Sequence, residues 1–356
     1  MAIIRALQPF DMRGVVPGGA SLSVAPNVFA LTAGNQRTVL TGSFSAGAAG
    51  ATGTVLAMTK SVAGSLVFEA SGLERSASTI ADILADRDND RLFAYTLSGA
   101  DQITGSGGAD YLIGFGGDDL IRGGAGSDQL FGGAGRDTVD GGLGADFIAG
   151  GLDIDLMRGG GGNDTYLVAE VGDRVVEARA EGQDTILSYV TVALPAHVER
   201  LVLIGAAAIN GRGSLRPDDI DGNDAANRLT GDAGGDRLDG DGGTDVLEGG
   251  GGRDALTGGA GADLFQFRSA ADAYGDRIVD FTRGVDRVHL AHIDADPGLA
   301  GDQAFRFVGT AGLTGRPGDL ATSGAWLQGD LDGDRVADFV IRFENGVTPT
   351  LGDLIL

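Results

Sequence analysis

The chain has no cysteine and only three histidines in 356 residues, at His197, His289 and His292. Without cysteine there is no disulfide to brace a small core, so a protein of this kind must gain stability elsewhere, and bound metal is one recognised route. A zinc protease of the H-E-x-x-H kind needs two imidazoles one helical turn apart with a glutamate between them, and no such motif occurs. His289 and His292 are three apart on a predicted strand and its exit, where residues i and i+3 are expected on opposite faces. His197 follows Pro195 and is expected in a turn. Nucleophilic hydrolysis fares no better: Ser45 lies in Ser43-Phe44-Ser45-Ala46-Gly47, which lacks the first glycine of a G-x-S-x-G elbow, and residues 1–96 hold no histidine to act as base.

Positive charge is also scarce. Lysine and arginine total 26 against 50 acidic residues, for a net charge of −24. That balance argues against nucleic acid as a partner. No run of about 18 apolar residues exists that could span a membrane. Met1 to Gly14 lacks the apolar segment of a signal peptide, so an export signal, if there is one, is expected elsewhere in the chain.

What the sequence does have is 64 glycines and a period. Aspartates fall every nine residues at Asp101, Asp110, Asp119, Asp128, Asp137, Asp146, Asp155 and Asp164. Two positions after each stands an apolar side chain: Ile103, Leu112, Ile121, Leu130, Val139, Ile148, Met157 and Tyr166. The register returns at Asn227, Asp236, Asp245, Asp254 and Asp263, followed by Leu229, Leu238, Leu247, Leu256 and Phe265. A fixed period of this kind marks a solenoid. Glycines permit tight turns with positive φ, and the three residues after each turn suit a short strand whose central side chain faces inward. Two units make one coil of 18 residues, so Asp110 lies over Asp128 and Asp128 over Asp146, about 4.8 Å apart per coil. Stacked carboxylates repel unless a cation sits between them. An all-oxygen, flexible donor set suits calcium better than magnesium. Residues 101–164 hold eleven aspartates against three arginines, and residues 221–263 hold ten acids against three arginines, so fifteen of the 24 net negative charges sit in the repeats. Asn227 is neutral and is expected to bind more weakly.

The array resembles the RTX nonapeptide repeat, G-G-x-G-x-D-x-U-x. The resemblance implies an all-β chain built on a parallel β-roll, with calcium held between successive turns by the thirteen residues at the aspartate position. Ser106 and Phe115 depart from the second glycine, and Leu152-Asp153-Ile154 replaces x-Gly-x in the seventh turn. Asp153 is a poor substitute where a left-handed residue is needed, so sites involving Asp155 are expected to be the weakest. Residues 268–356 lose the repeat. Their segments Asp276 to Phe281, Gly284 to Val288, Ala304 to Gly309 and Gly329 to Phe339 together resemble the C-terminal domain of the serralysin proteases. That resemblance implies an uncleaved signal for export by a type I secretion transporter and an extracellular location, and the ending Asp353-Leu354-Ile355-Leu356 is similar to such signals.

The remaining segments complete five divisions: a small β-rich region over 1–96, a first calcium block over 97–167, a β-solenoid spacer over 168–217, a second block over 218–267 and the serralysin-like region over 268–356. Within 1–96, Thr38 to Leu40, Gly53 to Met58 and Ser65 to Ala70 read as short strands, and Ser78 to Ala85 and Asp88 to Tyr95 as short helices. The region is expected to cap the first coil, as solenoids require. In the spacer, Asp173 to Glu177, Asp184 to Leu187 and Val198 to Leu203 read as longer strands without calcium sites. Asp330, Asp332 and Asp334 alternate around Gly333 and read as strand-turn acids, with a further ion left open. The functional expectation is a calcium-binding surface, matrix or adhesion-type protein without enzymatic activity. The alternatives are an enzyme working through carboxylates in 1–96, such as Glu69, Glu74 or Asp82, or a serralysin-like chain without its protease domain. The partner of residues 1–96 is not readable from the sequence.

Overall fold

The computed structural model describes the backbone of five strands within residues 20–76 and, from Gly99 onward, every residue except Ser106. The helices expected over 78–85 and 88–95 lie outside the described residues. The chain divides into two compact units, residues 1–182 and 183–356, with the division inside the expected spacer.

In the first unit, strands Ala20–Ala25, Val28–Ala33, Gln36–Gly47, Gly50–Val62 and Ser65–Ser76 form an antiparallel meander. The last three are 12 to 13 residues long, well beyond the short segments expected. Glycines read as turns are carried inside the strands instead; the register shifts between Thr41 and Gly42, the usual use of a glycine within a strand. Strand Ser65–Ser76 then pairs antiparallel with Gln102–Thr104, setting Ala70 opposite Ile103. From that strand onward the pairing is parallel.

Two parallel faces follow. One carries Gln102–Thr104, Leu120–Ala125, Thr138–Leu143, Leu156–Gly161 and Arg174–Val175; the other carries Tyr111–Gly116, Gln129–Ala134, Phe147–Leu152 and Thr165–Val168. The register is 18 residues, as the period requires: Ile103 pairs with Ile121, Ile121 with Val139, Val139 with Met157 and Met157 with Val175. Leu112, Leu130, Ile148 and Tyr166 stack the same way on the opposite face. All of these side chains are buried. Each coil is too thin for more than two inward rows, so the core is a column of single apolar residues, and every one of them removes most of its surface from water. The strands run to six residues in this block, because pairing continues through the glycines: Gly133 opposes Gly151. A Cβ on Gly133, whose φ is +117°, would meet the carbonyl oxygen of Phe115. Glycine there lets successive coils approach.

The second unit is also a parallel solenoid. One face stacks Thr185–Ser188, Arg200–Leu203, Asp219–Asp221, Arg237–Asp239, Ala255–Thr257, Arg277–Ile278 and Phe339–Phe343. The other stacks Val192–Ala193, Gly211–Arg212, Arg228–Thr230, Val246–Glu248, Leu264–Gln266, Arg287–His289 and Leu354–Ile355. The spacer strands are shorter than expected, at two to four residues. Beyond Phe339–Phe343 the sheet turns antiparallel through Trp326–Asp330 and Asp319–Ser323.

Candidate metal centre

The glycine turns put every repeat aspartate at the point where a coil enters its strand. Asp128 is representative. It is 1% exposed. Its Oδ1 accepts the N–H of Asp110 at 2.8 Å, its own N–H donates to Oδ1 of Asp146 at 2.8 Å, and its carbonyl accepts the N–H of Phe147 at 2.8 Å. The same bond joins Asp101 to Asp119, Asp119 to Asp137, Asp137 to Asp155 and Asp146 to Asp164. In the second unit it joins Asn227 to Asp245, Asp236 to Asp254 and Asp245 to Asp263. One carboxylate oxygen per rung therefore stitches two coils together. The stacking of Asp110, Asp128 and Asp146 required by the period is present.

The second oxygen has no such use. Oδ2 of Asp119, Asp128, Asp137, Asp146 and Asp155, and of Asp236, Asp245, Asp254 and Asp263, is buried without a hydrogen-bond partner. A buried, unpaired carboxylate oxygen is costly. Each faces a glycine whose missing side chain leaves room. Beside Gly240, the point a Cβ would take lies 2.5 Å from Oδ2 of Asp245 and 2.6 Å from the carbonyl oxygen of Gly258. The same cradle of glycine, aspartate Oδ2 and a carbonyl from the next coil recurs at Asp110, Asp119, Asp128, Asp137, Asp146 and Asp236. A carboxylate oxygen and a backbone carbonyl oxygen from the next coil, brought beside the same glycine, are the donor types a calcium ion takes.

The electrostatics agree. Burial pushes the carboxyls of Asp119, Asp155 and Asp236 up to about 7 and those of Asp128, Asp137, Asp245, Asp254 and Asp263 up to about 6. The N–H bond from the preceding coil opposes the rise, and nearby carboxylates add to it. Asp146 is raised for the same leading reason. A cation in the cradle would reverse this balance.

Asn227 keeps the cradle with Gly222 and the Gly240 carbonyl, but its amide is engaged. Oδ1 accepts the Asn223 N–H at 2.8 Å and Nδ2 donates to the Ile209 carbonyl at 2.6 Å. The ladder also reaches aspartates outside the thirteen. Asp155 donates its N–H to Oδ1 of Asp173, Asp218 donates its N–H to Oδ1 of Asp236, and Asp263 donates its N–H to Oδ1 of Asp286. The Oδ2 atoms of Asp173, Asp218 and Asp286 are closed by their own turns, through the N–H groups of Ala169 and Glu170, of Ser214 and of Thr282 respectively.

His289 and His292 depart from expectation. Their rings lie 4.8 Å apart, because strand Arg287–His289 ends there and the following turn folds His292 back over it. Burial, then His292, lowers the His289 imidazole below its ordinary value. Neither belongs to a group of three potential metal-ligating side chains among the described residues. His197 takes φ +74° in its turn. Near the C-terminus, carboxylate oxygens of Asp330, Asp332 and Asp338 lie within 4.8 Å of one another, so Asp338 rather than Asp334 joins the group. Both oxygens of Asp330 are taken by loop N–H groups, from Gly333 and Arg335.

A parallel β-roll with glycine cradles and stacked carboxylates defines a cation-binding repeat solenoid. The RTX calcium-binding nonapeptide repeat matches residues 95–130, 113–148, 123–157, 140–167, 212–247 and 239–266. The chain carries this repeat in two blocks, and these repeats bind calcium. Among solved structures it is similar to the solution structure of the AlgE6R3 subunit of the Azotobacter vinelandii mannuronan C5-epimerase, with 25% identity over 40% of this chain and 80% of that chain, at a TM-score of 0.30. No curated protein matches. No helix among the described residues is long and apolar enough to cross a membrane.

Proposed function

We propose that the chain is a secreted protein whose calcium-binding roll folds after export through a type I transporter, and that its role is a non-enzymatic one at a cell surface or in an extracellular matrix. The observation that carries this reading is the run of buried Oδ2 atoms without partners, from Asp119 to Asp155 and from Asp236 to Asp263. Such a roll is poorly stable where calcium is scarce and gains its ions where calcium is about millimolar, near the dissociation constants of extracellular calcium modules, about 10⁻⁴–10⁻³ M. A chain that stays unfolded inside the cell suits passage through a narrow channel. In this reading the thirteen repeat positions, Asp101 to Asp164 and Asn227 to Asp263, are the ligand positions. The serralysin resemblance of residues 268–356 supports a C-terminal export signal. The lack of histidine and cysteine in residues 1–96 supports an interaction module rather than a catalytic one.

The experiment is export from a host carrying a type I transporter. The full chain is expected in the medium, and a chain ending at residue 267 is expected to remain inside. Equal secretion of the truncated chain would remove the type I reading.

A further inference from the structure

The ladder in the second unit does not stop with the repeats. Arg277 pairs with Ala255, which sets Asp276 in register with Asp254 although 22 residues separate them. Asp254 donates its N–H to Oδ1 of Asp276 at 2.8 Å, and Arg277 donates to the Asp254 carbonyl at 2.9 Å. These are the two bonds every repeat rung makes. Asp276 is 0% exposed, and its Oδ2 is buried without a partner. This separates it from Asp173, Asp218 and Asp286, ladder aspartates outside the thirteen whose second oxygens are closed by N–H groups of their own turns. The next coil offers no carboxylate: Arg277 also pairs with Arg342, so the rung beyond Asp276 is Ile341, which is fully buried and apolar.

We propose that Asp276 is a ligand of a calcium ion held together with Asp254, at the step from the last repeat coil to the segment that follows. No nonapeptide motif contains Asp276, and the repeat match ends at residue 266. Asp272 stands close enough to act electrostatically on both carboxylates, and its Oδ1 is oriented by the Ser269 hydroxyl at 2.8 Å. The buried, unpaired oxygens of Asp254 and Asp276 form an anionic, all-oxygen pair, which selects a hard divalent cation with flexible coordination. The ion would tie the repeat block to Arg277–Ile278, and through its pairing to strand Phe339–Phe343. The inference rests on calcium binding by the repeats.

The test counts calcium ions per full-length chain by native mass spectrometry and follows melting in calcium and in chelator. Asp276→Asn keeps the Oδ1 acceptor for the Asp254 N–H but removes the charge. It is expected to bind one ion fewer than wild type and to show a smaller calcium-induced rise in melting temperature, with melting in chelator unchanged or higher, since a buried, uncompensated carboxylate is gone. Asp286→Asn, whose Oδ2 is already closed, is expected to keep the wild-type count. An Asp276→Asn chain with the wild-type count, or one destabilised equally in calcium and chelator, would overturn the proposal. A wild-type chain that binds no calcium would instead remove the reading of the repeats.

Discussion

Asp153 occupies a position that the other turns of its block give to glycine. The equivalent residues Gly117, Gly126, Gly135, Gly144 and Gly162 have φ between +113° and +142°, and Asp153 is held at +73°. A non-glycine residue in this left-handed region costs about 1–2 kcal/mol, somewhat less for aspartate. Glycine would relieve that strain but would lose about 0.5–1 kcal/mol through the greater freedom of the unfolded chain. Charge settles the sign, because the Asp153 carboxylate adds to the burden on both Asp137 and Asp155. Asp153→Gly is therefore expected to stabilise the calcium-free roll by up to about 1 kcal/mol, read as a higher melting temperature in chelator near pH 6. A lower one would show that the seventh turn uses the aspartate. Phe115, also left-handed at +70°, is a different case: its half-buried ring contributes packing that glycine would forfeit.

At the scale of one ladder, each rung is worth what its neighbours make of it. Asp128 accepts from Asp110 and donates to Asp146, so its loss opens two steps. Asp101 donates to Asp119, and on the other side its strand meets the antiparallel strand Ser65–Ser76 in place of another repeat coil. Asp128→Ala is expected to raise the calcium midpoint for β-structure more than Asp101→Ala does, in circular dichroism of the full chain during calcium titration. Equal shifts would mean that the rungs act independently. The period made this ladder legible: it fixed the 18-residue register, the inward column and the stacked aspartates before any coordinates. It did not reveal Asp276 or Asp286, because loops lengthen their coils to 22 and 23 residues and defeat a count of nine. The ladder survives there because the inward residues Ile278 and Val288 set the strand register, not the spacing. A different signal was present throughout. Asp173-Arg174-Val175, Asp218-Asp219-Ile220, Asp276-Arg277-Ile278 and Asp286-Arg287-Val288 all place aspartate two before an inward apolar residue, as every repeat does. Strand lengths in residues 20–76 were illegible for the opposite reason, since glycines that serve as bulges look in sequence like glycines that end strands.

For the molecule as a whole, protons and calcium compete for the same oxygens. The ladder carboxyls titrate near 6 to 7 when buried in the roll, against an ordinary value of 3.8. A raised carboxyl pKa means that the folded chain binds protons more tightly than the unfolded chain, so lowering the pH favours folding. Without calcium, this contribution is fully present below about 3.8 and is lost as pH rises through 6 to 7. At pH 7.5 in chelator the ladders are ionised, and they face a backbone ordering cost of about 1–2 kcal/mol per residue with only a single column of apolar side chains per face to offset it. The repeats are expected to lose their β-signal there and to regain part of it as the pH is taken down towards 4.5. Calcium must displace those protons to bind, so the calcium midpoint at pH 5.5 is expected to lie above that at pH 7.5, and calcium addition near pH 6 should release protons measurable in a weakly buffered solution. At ten times its dissociation constant one site contributes only about 1.4 kcal/mol, so no single ion orders a block, and the transition should be steep in calcium because each ion bridges two coils. Circular dichroism across pH and calcium checks all of this in one surface. A calcium-free β-signal that falls on acidification, or a calcium midpoint indifferent to pH between 5.5 and 7.5, would mean that the buried aspartates are not the groups calcium binds.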